Sequence, residues 1–150
     1  MILYRYDNED FPDGKVIQSR GDHLTTLTAD ERKTELEVRK TLSNGEEVRK
    51  TALYTWENEA AARRLAPFSR ASFLYELAVD PPDILCRFDL NFFSDAVDAK
   101  TGPDFDEAIR RFCAGESGGK SATSPRIEVL VTKATIVRKL WTRGVVLTAR

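Results

Sequence analysis

Two β-branched runs near the end of the chain constrain the fold more than any other stretch. Residues 127–131 read IEVLV and residues 134–140 read ATIVRKL, with the polar pair Thr132-Lys133 between them. Such runs favour buried β-strands, and the short polar break predicts a late hairpin. Glu128 is an acidic residue inside the first run. It is either a charge on an edge strand that faces water or a carboxylate that faces a cleft.

Strand and helix signals alternate irregularly along the rest of the chain. Besides the final runs, alternation of apolar and polar residues predicts strands at residues 2–6, 51–55 and 72–79, shorter ones at 15–20 and 83–90, and a last one at 144–148. This irregular order favours a single α+β domain with antiparallel or split sheets over a doubly wound parallel sheet.

Capping residues predict the helices. Thr28 and Glu31 form a capping box, which starts a charged helix that ends near residues 43–45. The apolar stripe of this helix is thin, so we expect it to lie on the surface. A helix at 57–66 is expected to be capped by Thr55, and one at 104–114 by Asp104.

Composition excludes several functions. The chain has 150 residues, 31% of them charged, and a net charge of -1, which gives no electrostatic case for binding nucleic acid or a membrane. It has two cysteines and one histidine, His23, in a polar turn. A disulfide scaffold, a zinc site and a Ser-His or Cys-His hydrolase are therefore disfavoured, and the thiols fit a reducing compartment. No signal-peptide pattern or membrane-length apolar run is found.

The segment AGESGGKS at residues 114–121 matches a relaxed phosphate-loop pattern. That chemistry needs a strand before the loop and a helix after it, whereas here a helix precedes and a strand follows. We therefore expect residues 115–124 to be a mobile linker that does not bind nucleoside triphosphates.

Three polar positions within apolar strands recur in one known arrangement. They are Arg5 in the first strand, Tyr54-Thr55 before an alanine-rich helix, and Glu128 in a late strand. With the segments LYTWENEAAARRLA, LYELAVDP, FDEAIRRFCAG and IEVLVTKATIV, this layout resembles the ADP-ribosyltransferase superfamily, the fold of the diphtheria and cholera toxins, and small bacterial members of it. The resemblance covers most of the chain in order, through short motifs.

The resemblance implies split antiparallel or mixed sheets with flanking helices, and cleavage of the nicotinamide–ribose bond of NAD. Glu128 would then be the catalytic carboxylate, with its charge near the ribose. Arg5, Tyr54, Thr55 and Trp56 would bind NAD, and the Thr55 hydroxyl would hydrogen-bond the Glu128 carboxylate. The implied protein is a mono-ADP-ribosyltransferase that modifies a protein acceptor. A toxin or effector is one form that such a protein takes. It would act in its own cytoplasm or in that of a host or target cell.

Other functions stay open at this stage. An NAD glycohydrolase would use the same fold, and a non-catalytic interaction or immunity module would keep the fold without the activity. RNA 2'-phosphate transfer is related chemistry, but it favours a more basic surface. Arg126 stands where arginine-modifying members carry an acidic or amide residue, which disfavours arginine as acceptor. We expect no separate delivery domain.

Overall fold

Strands and helices alternate irregularly in the computed structural model, which describes residues 1–66, 69–119 and 124–144. Within these residues the strands are β1 (Ile2–Asp7), β2 (Val16–Gln18), β3 (Leu53–Trp56), β4 (Phe73–Ala78), β5 (Ile84–Asp89), β6 (Ile127–Val131) and β7 (Lys133–Thr142). The α-helices are α1 (Ala29–Thr41), α2 (Gly45–Thr51), α3 (Glu59–Arg64), α4 (Leu90–Ala99) and α5 (Pro103–Cys113). Short 3-10 helices span His23–Thr26 and Pro81–Asp83.

One antiparallel sheet contains all the described strands, in the order β2-β7-β4-β1-β3-β6-β5. The chain therefore forms an α+β domain, and the expected separate or mixed sheets are not what is found. The pairing is weakest at the centre of the sheet. Among the described residues, Tyr4 and Trp56 form the single residue pair that joins β1 to β3. On one side of this junction lie β2, β7, β4 and β1, and on the other β3, β6 and β5.

The predicted late hairpin is wrong. β6 lies between β3 and β5, whereas β7 lies between β2 and β4, so the two consecutive strands belong to opposite parts of the sheet. Thr132 makes the sharp turn between them, and it donates from its backbone N–H to the Asp83 carbonyl oxygen at 2.9 Å. The break has no Asn-Gly or similar pair for a tight hairpin turn, and β6 is buried on both faces, which requires neighbours that a terminal hairpin would not supply.

The sheet has an apolar core on each face. One core contains side chains from the strands and the segments that adjoin them, including Leu3, Leu53, Leu77, Val129 and Ile136. Residues of both parts of the sheet contribute to this core. The other core lies under the helices and includes Val38, Phe88, Phe92, Phe112 and Leu130. Alternation along β6 therefore points Ile127, Val129 and Val131 into the first core and Glu128 and Leu130 towards the helices.

The first helix begins as the sequence predicts but is not a surface helix. Thr28 and Glu31 form the capping box. Glu35 and Val38 are nevertheless fully buried, because α1 covers the sheet together with α2, which sequence analysis did not predict. Asn44, at φ 54°, is the left-handed residue between the two helices. Gly45 begins α2 where a Cβ would collide with the Arg39 carbonyl, so close approach requires the glycine.

Three other helix boundaries differ from the predictions. Asn58, rather than Thr55, caps α3 by accepting the Ala61 N–H at 3.0 Å. Gly102, rather than Asp104, occupies the cap position of α5, and proline follows it in the first turn. The third is the start of the ten-residue helix α4, capped by Asp89, where sequence analysis predicts the end of a strand at 83–90. β4 and β5 lie where alternation predicts them.

Two expectations fall partly or wholly on residues that the structure does not describe. The strand expected at 144–148 lies outside the described residues apart from Gly144, and so do residues 120–123 of the expected linker. Among the described residues no helix is both long and apolar enough to cross a membrane.

Candidate functional site

A cleft of about 590 Å³ opens between the junction of β1 and β3 and residues of α1, α2 and α4. Arg5, Tyr54, Trp56 and Glu128 line it, although they are far apart in sequence. The structure thus brings together four of the five residues that sequence analysis singled out, and it leaves Thr55 out. Their roles towards NAD stay predictions.

Glu128 lies on a central strand, which excludes the edge-strand interpretation of its charge. Trp56 on β3 and Phe88 on β5 are its direct cross-strand neighbours. Its exposure is 9%, at the wall of the cleft. Arg49 Nη1 donates to Glu128 Oε1 at 3.2 Å. Burial raises the pKa of the Glu128 carboxyl, and the Arg49 charge opposes this shift.

Arg49, at the last turn of α2, is the central cation of the site. Its side chain is 2% exposed. Nε donates to Glu35 Oε1 at 3.0 Å and Nη2 to Glu35 Oε2 at 2.7 Å, so one edge of the guanidinium makes a bidentate pair. Burial acts to lower the pKa of Arg49, but Glu128 and Glu35 reverse this and hold it above its ordinary value.

A second buried arginine extends the network towards the surface. Arg39 on α1 donates from Nη2 to Asp22 Oδ1 at 2.7 Å and from Nη1 to Asp22 Oδ2 at 3.1 Å. Its Nε is 3.4 Å from Glu35 Oε1, a longer contact. Hydrogen bonding from Arg39 lowers the pKa of Asp22 to about 2.

Arg5 links β1 to β3 next to the Tyr4–Trp56 pair. Its Nη1 donates to the Tyr54 carbonyl oxygen at 2.8 Å, and its Nε donates to Asp7 Oδ2 at 3.3 Å. Arg20 reaches the other oxygen of the same carboxylate, with Nη2 2.6 Å from Asp7 Oδ1. Burial lowers the pKa of Arg5, and the Asp7 charge opposes the shift. Arg5 and Arg20 together place positive charge at one side of the cleft.

Tyr54 connects the strand to the Arg49 network. Its hydroxyl donates to the backbone carbonyl of Arg49, and the Arg49 guanidinium lies over its ring, 5.2 Å from the centroid. Burial raises the pKa of Tyr54, so the phenol stays protonated at neutral pH. Trp56, two residues further along the same face of β3, is partly exposed in the cleft beside Glu128.

Thr55 does not take part in the site, and the predicted contact with Glu128 is wrong. Successive side chains on a strand point to opposite faces. Tyr54 and Trp56 face the cleft, so Thr55 faces the first core, which contains Leu3, Leu53 and Val129. Its hydroxyl donates to the Val129 carbonyl oxygen at 2.7 Å, and the residue is fully buried.

His23 lies in the cleft, although sequence analysis placed it in a polar turn. It begins the 3-10 helix His23–Thr26, and its ring packs edge-on against Tyr54 with centroids 4.5 Å apart. Its Nε2 is 3.5 Å from Glu35 Oε1, and its Nδ1 is buried without a hydrogen-bond partner among the described residues. Burial lowers the pKa of His23, so the imidazole is neutral at pH 7.

Sequence analysis missed Glu35, Arg49 and the helix that carries Arg49. A signal for that helix was present, since Glu46 and Glu47 precede Arg49 and Lys50 as the helix macrodipole favours. Nothing local marks Glu35 and Arg49 as buried, because both stand among other charged residues. Arg49 binds Glu128 on β6, 79 residues away along the chain, and Glu35 in turn binds Arg49, so neither contact is local in the sequence.

No protein-family model matches the chain, and no curated protein matches it. In the described part of the chain, no group of histidine, cysteine or carboxylate side chains is arranged to hold a metal ion. The cleft is lined by carboxylate, guanidinium, imidazole and aromatic groups.

Proposed function

We propose that the protein binds NAD in this cleft and cleaves the nicotinamide–ribose bond, transferring ADP-ribose to an acceptor. The observation that carries the proposal is the meeting of Glu128 with Arg5, Tyr54 and Trp56 in one cleft. The motif resemblance assigns these residues to NAD, and a volume of about 590 Å³ suits a nucleotide-sized ligand.

The charges of the cleft support a ligand with a diphosphate. Among the described lining residues, the arginines Arg5, Arg20, Arg49 and Arg126 outnumber the carboxylates Glu31 and Glu128. Guanidinium groups bind phosphate oxygens through charge-assisted hydrogen bonds, often two at a time. Arg20 is the most accessible of these for a phosphate, since its side chain is 54% exposed.

Glu128 supplies the chemistry of the proposed reaction. Departure of nicotinamide leaves positive charge on the ribose carbon and ring oxygen, and a carboxylate beside the ribose stabilises that charge. In a cleft shielded from water such an interaction is stronger than in bulk solvent. Trp56 lies next to Glu128 and offers an aromatic surface for the departing ring.

Nicotinamide release by the purified protein tests the proposal. Glu128→Gln keeps the side-chain shape and removes the charge, so it should lower kcat about a hundred- to a thousandfold with little change in KM for NAD. Arg5→Ala should mainly raise KM. Glu107→Gln, on the exposed face of α5, is the matched control and should behave as wild type. Free ADP-ribose as the product would indicate a glycohydrolase, and label on a protein would indicate a transferase.

The principal alternative is a non-catalytic binding module on the same fold. It is favoured by the fact that Glu128 and Arg5 both have intramolecular partners, Arg49 for Glu128 and Asp7 and the Tyr54 carbonyl for Arg5. This alternative is correct if the wild-type protein releases no nicotinamide with any acceptor offered. It is also favoured if Glu128→Gln releases nicotinamide at the wild-type rate.

A further inference from the structure

Arg49 is the buried group that holds the Glu128 carboxylate, and no motif points to it. We infer that Arg49, itself fixed by Glu35, is a positioning residue for Glu128: it holds the carboxylate at the cleft wall by a hydrogen bond and places a positive charge beside it. This inference rests on the proposed NAD cleavage for its effect on turnover, but its effect on Glu128 itself is independent of that function.

The hydrogen bonds divide the guanidinium between the two carboxylates. Nε and Nη2 are used by Glu35, at 3.0 and 2.7 Å, which leaves Nη1 for Glu128 Oε1 at 3.2 Å. The planar fork of arginine permits this arrangement, whereas the single ammonium of lysine does not. The shorter contacts are those to Glu35, so Glu35 fixes the guanidinium and the guanidinium positions Glu128.

Aromatic rings enclose the same guanidinium. Its carbon lies 5.2 Å from the ring centroid of Tyr54, 5.6 Å from that of Phe88 and 5.5 Å from that of Phe112. The Tyr54 hydroxyl also binds the Arg49 backbone carbonyl. Helix α2 and strand β3 are thereby linked through both ends of Arg49, and the side chain has little freedom to swing away from Glu128.

The energetics argue against a purely structural role. Moving charged groups out of water costs several kcal/mol for each ion, and well-packed apolar residues of similar volume are often as stable as a buried ionic network. Glu35 is 0% exposed and Arg49 is 2% exposed, yet Glu128, the third member, reaches the cleft wall. Of the two carboxylates that Arg49 binds, Glu128 is therefore the one that a ligand in the cleft can approach.

The groups around Glu128 predict opposite effects for two substitutions. Arg49 comes from α2, Glu35 from α1, Tyr54 from β3 and Cys86 from β5. Tyr54 and Cys86 are neutral at pH 7, since burial raises the pKa of both. Removal of the Arg49 charge should therefore raise the pKa of Glu128, and removal of the Glu35 charge should lower it.

Carbon-13 NMR of protein labelled at the glutamate side-chain carboxyls measures this directly. The Glu128 resonance is assigned by its loss in Glu128→Gln and then followed from pH 3 to pH 9. Arg49→Met should shift its titration upward by about 1–3 pH units. Glu35→Gln, which keeps the side-chain size, should shift it downward. Arg110→Met removes an exposed arginine on α5 and should leave it unchanged.

Turnover gives the second measurement. Arg49→Met should lower kcat for NAD cleavage at least tenfold at pH 7 with KM little changed, and the acidic limb of its pH profile should move upward with the Glu128 titration. Arg49→Lys should restore part of the charge effect on the Glu128 titration, but it should not restore the alignment of the Glu128 carboxylate. If wild type releases no nicotinamide, the proposed function is wrong and the NMR titration still decides the inference. Equal Glu128 titration in wild type and Glu35→Gln, or in wild type and a folded Arg49→Met, overturns it.

Discussion

Replacing Arg49 with methionine should destabilise the protein more than any loss of apolar contact would explain. Methionine fills a similar space but leaves Glu35 and Glu128 without their common partner. Glu35 is fully buried, and among the described residues its remaining cationic neighbour after the loss is Arg39 at 3.4 Å, with the neutral His23 ring at 3.5 Å. A buried carboxylate in that position must either stay ionised with poor compensation or take up a proton.

The size of the effect follows from the lost ion pairs. Two unit charges about 4 Å apart attract by about 4 kcal/mol at an effective dielectric constant near 20. Deleting one partner of a buried pair is measured to cost about 3–5 kcal/mol. Domains of this size are stable by only about 5–15 kcal/mol, so Arg49→Met should remove a large share of the total. The expected fall in Tm is roughly 6–20 °C.

Urea unfolding followed by circular dichroism provides the assay. With a slope of about 2 kcal/mol per molar, the midpoint should fall by about 1.5–2.5 M urea. Arg110→Met is the matched control, because Arg110 pairs with Glu107 and Glu116 on the exposed face of α5. Because solvent and salt screen such a surface pair, its loss should leave the urea midpoint nearly unchanged.

A triple variant separates the unpaired charge from the lost side chain. Replacing Glu35 and Glu128 with leucine together with Arg49→Met removes all three charges, so stability should return to within about 1–2 kcal/mol of wild type or exceed it. Two results would contradict this account of the buried charges. One is that Arg49→Met alone lowers the free energy of unfolding by less than about 1 kcal/mol. The other is that the triple variant is no more stable than Arg49→Met.

Two further results are expected from groups at the edge of the site. Thr55→Val should lower the free energy of unfolding by about 1 kcal/mol, because it removes the hydrogen bond to the Val129 carbonyl. Thr55→Val should leave nicotinamide release unchanged. A large loss of turnover in a folded variant would show that Thr55 contributes to the site. Asp22 has a pKa of about 2, below its unfolded value near 3.8, because Arg39 binds the ionised form. Its stabilisation is therefore present above pH 4 and is lost as the pH falls towards 2, so the stability difference between wild type and Asp22→Asn should shrink by roughly half between pH 5 and pH 3. A difference that stays constant over that range would contradict the assignment.

Local patterns in the sequence were enough to predict much of the secondary structure. Alternation predicts β4, because Phe73, Tyr75 and Leu77 share the face that the strand core buries. The capping box of Thr28 and Glu31 predicts the start of α1, because the groups that satisfy one another are three residues apart. The position of Glu128 within an apolar run likewise marked it as unusual before any fold was known.

The alternation of side chains along a strand explains why the prediction for Thr55 was wrong. Tyr54, Thr55 and Trp56 were grouped because they adjoin in sequence, but a strand separates neighbouring side chains by placing them on opposite faces. Thr55 therefore faces the core while Tyr54 and Trp56 face the cleft. The periodicity was readable from the sequence. Which face would be the cleft was not.

The charged core was decided by tertiary structure alone. Glu35 and Arg49 stand on helices rich in exposed charge, and nothing nearby in the sequence distinguishes them from their neighbours. The pairing of the strands was also beyond local patterns, since β6 and β7 adjoin in sequence but lie in opposite parts of the sheet. Both outcomes depend on contacts between segments tens of residues apart, whereas the sequence by itself determined the positions of β4 and β5 and the start of α1. Only the tertiary structure decided which charges are buried together beside Glu128.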